Sequence, residues 1–121
     1  ITGFGLLGHL GEMLRNRSLR VVLDGLAIPA LPQTLDLLES GQASTMAPAN
    51  RRAWAQLDDG SVNLNLSGIR SGSPRHQALL ELLVDPQTCG PLLISVPEDS
   101  AAVLLNEDGT AWGEIGWVTT R

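Results

Sequence analysis

Apolar positions along this chain switch repeatedly between helical spacing and short extended runs. Near the start, Phe4, Leu7 and Leu14, interleaved with Leu6, Leu10 and Met13, recur every three to four residues. That spacing predicts an amphipathic helix over residues 3 to about 16. Residues 19–23 are short, apolar and β-branched, which predicts a strand that Asp24-Gly25 ends. Residues 26–32 read as an extended link, because each proline pushes its predecessor out of helical geometry. Residues 33–39 carry apolar side chains at 35, 37 and 38 and predict a short helix, stopped by Ser40-Gly41.

Residues 41–52 are the longest loop candidate, mixing small residues with Pro48 and two adjacent arginines; loops this long are often functional. A helical turn over 53–57 and a tight turn at Asp58-Asp59-Gly60 follow. Val62, Leu64 and Leu66 alternate with polar residues as in a strand, and the glycine- and serine-rich stretch 67–74 is a loop. Pro74 opens a helix that runs to Val84, with Leu79, Leu80, Leu82 and Leu83 on its buried side. After the polar connection 85–91, the continuous apolar run 92–96 predicts a buried strand. A short helix from Pro97 through Leu105, a turn over 106–109 and a closing strand over 112–119 complete the chain. Helices and strands in this order predict one α/β domain over residues 1–121, a sandwich of one mixed sheet covered by helices.

The first helix has an unusual start. Gly3, Gly5, Gly8 and Gly11 interrupt an otherwise apolar segment, and each interior glycine costs a helix roughly 0.5–1 kcal/mol relative to alanine. Thr2 is a suitable N-cap, and Gly3 and Gly5 would leave the helix mouth bare, which suits an anion such as phosphate. Gly5, Gly8 and Gly11 also form a smooth stripe suited to close packing. The two uses are compatible, with Gly3 and Gly5 at the ligand end.

Composition narrows the range of functions. The chain has 121 residues and a net charge of −5, and all eight cations are arginines. Without lysine there is no Schiff-base or phosphate-binding ammonium. No dense basic patch suggests nucleic acid; Arg15, Arg17 and Arg20 sit where cations favour a helix end. No apolar run approaches the ~20 residues that span a membrane. The chain opens on a glycine-rich turn without Met, which reads as a cut from a longer protein. Cys89 is the only cysteine, so no internal disulfide forms, in keeping with a reducing, cytoplasmic compartment.

Thr2-Gly3-Phe4-Gly5-Leu6-Leu7-Gly8-His9-Leu10, followed by Asp85-Pro86-Gln87-Thr88-Cys89-Gly90 and the apolar run 92–96, resembles the C-terminal domain of selenophosphate synthases (selenide, water dikinases). These belong with aminoimidazole ribonucleotide synthase and its relatives. The resemblance implies an aminoimidazole ribonucleotide synthase C-terminal-like fold. It also implies an enzyme that uses ATP, Mg2+ and selenide to form selenophosphate, AMP and phosphate. Its reactive Cys or selenocysteine, most of its metal-binding aspartates and its homodimer contact would lie in an N-terminal catalytic domain outside this sequence. The metal-binding aspartate that usually precedes the Thr-Gly-Phe-Gly turn is also outside it, so no metal ligand and no catalytic residue is assigned here. The sequence departs from the family in Cys89-Gly90-Pro91, where Ser-Gly-Gly is common, and in a short 97–116 region.

Thr2, Gly3 and Gly5 are therefore expected near phosphate, and Arg51 and Arg52 could fork onto phosphate oxygens or be an exposed loop pair. Asp85 reads as turn chemistry, while Gln87 and Thr88 either support that turn or face an interdomain cleft. Cys89 reads as a small residue in a tight turn. His9, three residues before Glu12, is expected to make a local contact with it, and His76 has no metal partner in sight. Trp54, Trp112 and Trp117 read as core or interface packing rather than a stacking platform for bases. The isolated fragment is expected to be inactive toward ATP. Two other readings stay open: a different ATP-dependent enzyme of the superfamily, or a non-catalytic partner-binding domain that kept the fold.

Overall fold

The computed structural model describes residues 1–107, 109 and 111–120. β1 (Leu19–Asp24) is the central strand, and its alternation buries Val21 and Leu23 on one face. β2 (Val62–Asn65) lies parallel to it, Val21 beside Val62 and Leu23 beside Leu64. Parallel neighbours need a long crossover; here it contains α2 (Thr34–Glu39) and α3 (Ala47–Leu57). β3 (Gly116–Thr120) pairs antiparallel with the other edge of β1, Val22 beside Trp117. The sheet is thus mixed, in the order β2-β1-β3.

α1 (Gly5–Leu14) and α4 (Pro74–Val84) supply most of the core. Leu6, Leu7, Leu10 and Leu14 pack with Val21, Leu23, Ala47, Leu83 and Val84. The helical stripe of α1 therefore meets the Val21–Leu23 face of the sheet. On the other face, Val22 is half-buried, while Asn63 and Trp117 are exposed. The helices and mixed sheet make an α/β fold of the expected class.

Three segments differ from expectation. The presumed loop 41–52 is helical from Ala47, and α3 absorbs the turn expected over 53–57. Pro48 does not prevent this, because it sits in the first turn, where its missing N–H has no intrahelical partner to lose. The run 92–96 forms no strand, and Leu92 is 72% exposed. It lies between Pro91 and Pro97, and both edges of β1 are already taken by β2 and β3. The closing strand begins at Gly116 rather than 112, although Ile115 already accepts a hydrogen bond from Asp24 N. α5 (Glu98–Leu105) forms as expected. The turn expected over 106–109 includes Asp108, which lies outside the described residues.

Candidate functional site

The two sequence motifs, about 75 positions apart, meet at the C-terminal end of α4. The first turn folds on itself, Gly5 N donating to Thr2 O at 3.0 Å. The same carbonyl accepts from Gln87 N at 3.1 Å, and Ile1 O accepts from Gly90 N at 3.0 Å. Ile1 N donates to Pro91 O at 2.7 Å. The stretch 85–91 is thereby laced along residues 1 and 2 by main-chain bonds. Pro91 costs this lacing nothing, since it contributes a carbonyl.

Asn50 completes the junction. Its amide nitrogen donates to Gly3 O at 2.8 Å and to Val84 O at 2.9 Å. It is one of two buried polar residues, with Ser61, among the described residues. Sequence reading missed it, because Asn in a Pro- and Ala-rich segment signals a loop. Only once α3 exists do Ala47, Asn50 and Trp54 share one helical face.

The glycines divide their work. Gly5 has φ +71°, and a Cβ there would lie 2.8 Å from the Val84 carbonyl carbon, so only glycine lets the turn pass so close to α4. Gly11 faces Trp54 and Leu57 of α3. At Gly3 an added Cβ would meet nothing within 4 Å. The open part of the turn is thus Thr2-Gly3-Phe4, and Gly5 packs behind it.

Thr2 does not cap α1, whose N-cap position is Phe4, with no side-chain cap. Its hydroxyl lies 2.8 Å from His9 Nε2, and its N–H donates to the same nitrogen at 3.0 Å. An amide can only donate, so in this arrangement Nε2 carries the lone pair and Nδ1 the proton. His9 therefore braces the turn, with Phe4 edge-on to its ring at 5.9 Å, rather than meeting Glu12 as expected. Glu12 lies instead 3.9 Å from Arg15.

Arg51 is an α3 residue paired with Glu81 of α4. Arg52 beside it is exposed and unpaired among the described residues. Asp85 accepts from Gln87 Nε2 at 2.7 Å. Burial pushes its carboxyl above the usual range and nearby Glu81 adds to the rise, while the Gln87 hydrogen bond opposes it. Thr88 and Cys89 are exposed beyond this pair. No group of three or more His, Cys, Asp or Glu suited to a metal ion occurs among the described residues. No helix among them is long and apolar enough to cross a membrane.

Against known families, the family described as AIR synthase related protein, C-terminal domain, matches residues 1–121. The chain is 32% identical over 117 residues to a protein of Nitratidesulfovibrio vulgaris named selenide, water dikinase, covering 93% of this chain and 30% of that protein. It is 34% identical over 129 residues to one of the same name from Treponema denticola, covering 100% of this chain and 33% of the relative. A third, from Dechloromonas aromatica, is 33% identical over 107 residues, covering 88% and 27%. The chain thus spans about a third or less of the length of these relatives.

Proposed function

The chain belongs to the family of the C-terminal domain of AIR synthase related proteins, and on that premise we propose that it is the C-terminal domain of a selenophosphate synthase. In this reading it completes the ATP cleft for the ATP- and selenide-dependent formation of selenophosphate, AMP and phosphate. The observation that carries the reading is the junction itself. Two stretches that bracket most of the chain are bonded into one surface, with the Thr2-Gly3-Phe4 turn open at Gly3.

The residues fit an anionic ligand in a limited way. Gly3 leaves room for backbone to approach phosphate, and Arg52, one helical position past the Arg51–Glu81 pair, is exposed and unpaired among the described residues. Thr2 belongs to the same surface, whereas Gly5 supports it from behind and Arg51 reaches phosphate only by leaving Glu81. Asp85, Gln87 and Thr88 shape the neighbouring wall. No group of three or more His, Cys, Asp or Glu suited to a metal ion occurs among the described residues, and in this reading Mg2+ is held by residues of an N-terminal catalytic domain. Leu92, Ile94 and Val96 form an exposed apolar strip beside the junction that suits docking on that domain. Homodimer contacts and the cytoplasmic location belong to the same reading.

The test uses the full-length protein. It should take up ATP with Mg2+ by calorimetry and release AMP in a selenide-dependent manner, while the isolated 121-residue chain should release none. Gly3→Val should weaken ATP uptake without lowering the melting temperature, because its side chain enters open space. Uptake of ATP with no selenide dependence would point to another enzyme of the superfamily. No uptake at all would leave a partner-binding domain.

A further inference from the structure

At the opposite end of α4, about 16 Å away at 1.5 Å per residue, the open face of the sheet and the loop after β2 border a shallow, solvent-open cavity of about 590 Å³. That volume lies within the range of small-molecule sites. It stands at the carboxyl ends of the parallel strands β1 and β2, where open α/β sheets gather ligands. Val22 and Trp117 are part of its apolar lining, and Asn63, Asn65, Ser71 and His76 part of its polar lining. We propose that this cavity binds an uncharged planar heterocycle of the nucleobase or nucleoside class, stacked on Trp117 and read at its edge by the two asparagines and His76.

Four observations select that chemistry. None of the lining residues is Asp, Glu, Lys or Arg, so nothing there neutralises a phosphate or a carboxylate. The neighbouring N-terminus of α4 is already closed, since Ser73 Oγ accepts from His76 N at 3.2 Å. Trp117 is 51% exposed on a strand and offers a flat π face, so of the core or interface packing expected for it the core is excluded. Finally, the polar groups are poised for a partner. His76 Nδ1 makes no hydrogen bond with the described residues, and because it is shut off from solvent it meets a ligand only when the imidazole ring turns. Asn65 Oδ1 accepts from Ser67 N at 3.0 Å and Ser67 Oγ at 2.6 Å, which leaves its NH2 group to donate elsewhere. That NH2 group can donate to the acceptor atoms that base edges present.

The site does not depend on the nucleotide cleft proposed above. Full-length protein is titrated with adenosine, guanosine, cytidine and uridine, with glucose as a control, by calorimetry and ligand-observed NMR. At least one nucleoside should bind with a Kd of about 1 mM or tighter. Trp117→Ala removes the stack and should weaken that binding about tenfold or more. Asn65→Asp keeps the acceptor for the Ser67 turn but removes the amide donors, and should weaken it or change which base is preferred. Gly3→Val should leave it unchanged, so a failed nucleotide cleft and a failed cavity give different results. No nucleoside binding, binding that survives Trp117→Ala, or glucose binding as tightly as the nucleosides would each overturn the proposal.

Discussion

Asn50 ties two main-chain carbonyls that lie 47 and 34 residues away. Removing its amide leaves both acceptors without a donor, and each such loss costs about 1–3 kcal/mol. Asn50→Ala should therefore destabilise the fold by about 2–4 kcal/mol, read as a lower urea midpoint. Asp85 makes stability depend on pH. Its carboxyl is held above the usual range chiefly by burial, so the folded chain keeps a proton that the unfolded chain releases. Wherever the folded state binds more protons, stability falls as pH rises. That fall should begin at the ordinary carboxylate value and end at the raised one. Asp85→Asn, which keeps an acceptor for Gln87, should abolish it, as urea midpoints between about pH 4 and 7 would reveal.

α2 is the least anchored of the helices near the core. It has six residues, none of them buried, and isolated helices so short are unstable in water. It is held against α4 partly by Arg75, which reaches Asp36 at 3.1 Å and Glu39 at 2.5 Å. Partly exposed pairs of this kind contribute at most about 1 kcal/mol. Arg75→Ala should accordingly leave global stability within that margin while amide exchange over residues 36–40 accelerates. Exchange in α1 should stay unchanged. The Arg51–Glu81 pair does a similar job between α3 and α4, which is why an arginine that resembles a phosphate ligand in sequence is occupied in the fold.

For the molecule as a whole, the apolar strip 92–96 is a surface without cover among the described residues. Leu92 is 72% and Ile94 38% exposed, and Val103, Leu105, Trp117 and Val118 add further exposed apolar area. Patches of this sort mark interaction surfaces or drive association. The isolated chain should self-associate with rising concentration in sedimentation velocity. Leu92→Lys with Ile94→Lys should reduce that association and change folding stability by no more than about 0.5 kcal/mol, the usual range for surface substitutions. A loss of several kcal/mol would mean that the run is buried as a strand after all.

Elements whose signals are local could be read from the chain alone. α4 begins at Pro74 and ends at Val84 as its proline and leucine spacing imply, β1 forms over its short β-branched run, and β2 follows its alternation. The glycine-rich opening turn and the 85–90 motif were legible too, because turn chemistry depends on near neighbours. What needed the third dimension was every property set by contacts distant in sequence. Periodicity could not reveal that Asn50 would face inward, since that depended on a helix forming where composition suggested a loop. It could not separate Gly3 from Gly5, because the approach of Val84 distinguishes them. It misplaced the run 92–96, because apolarity says that a segment seeks cover and not which surface provides it.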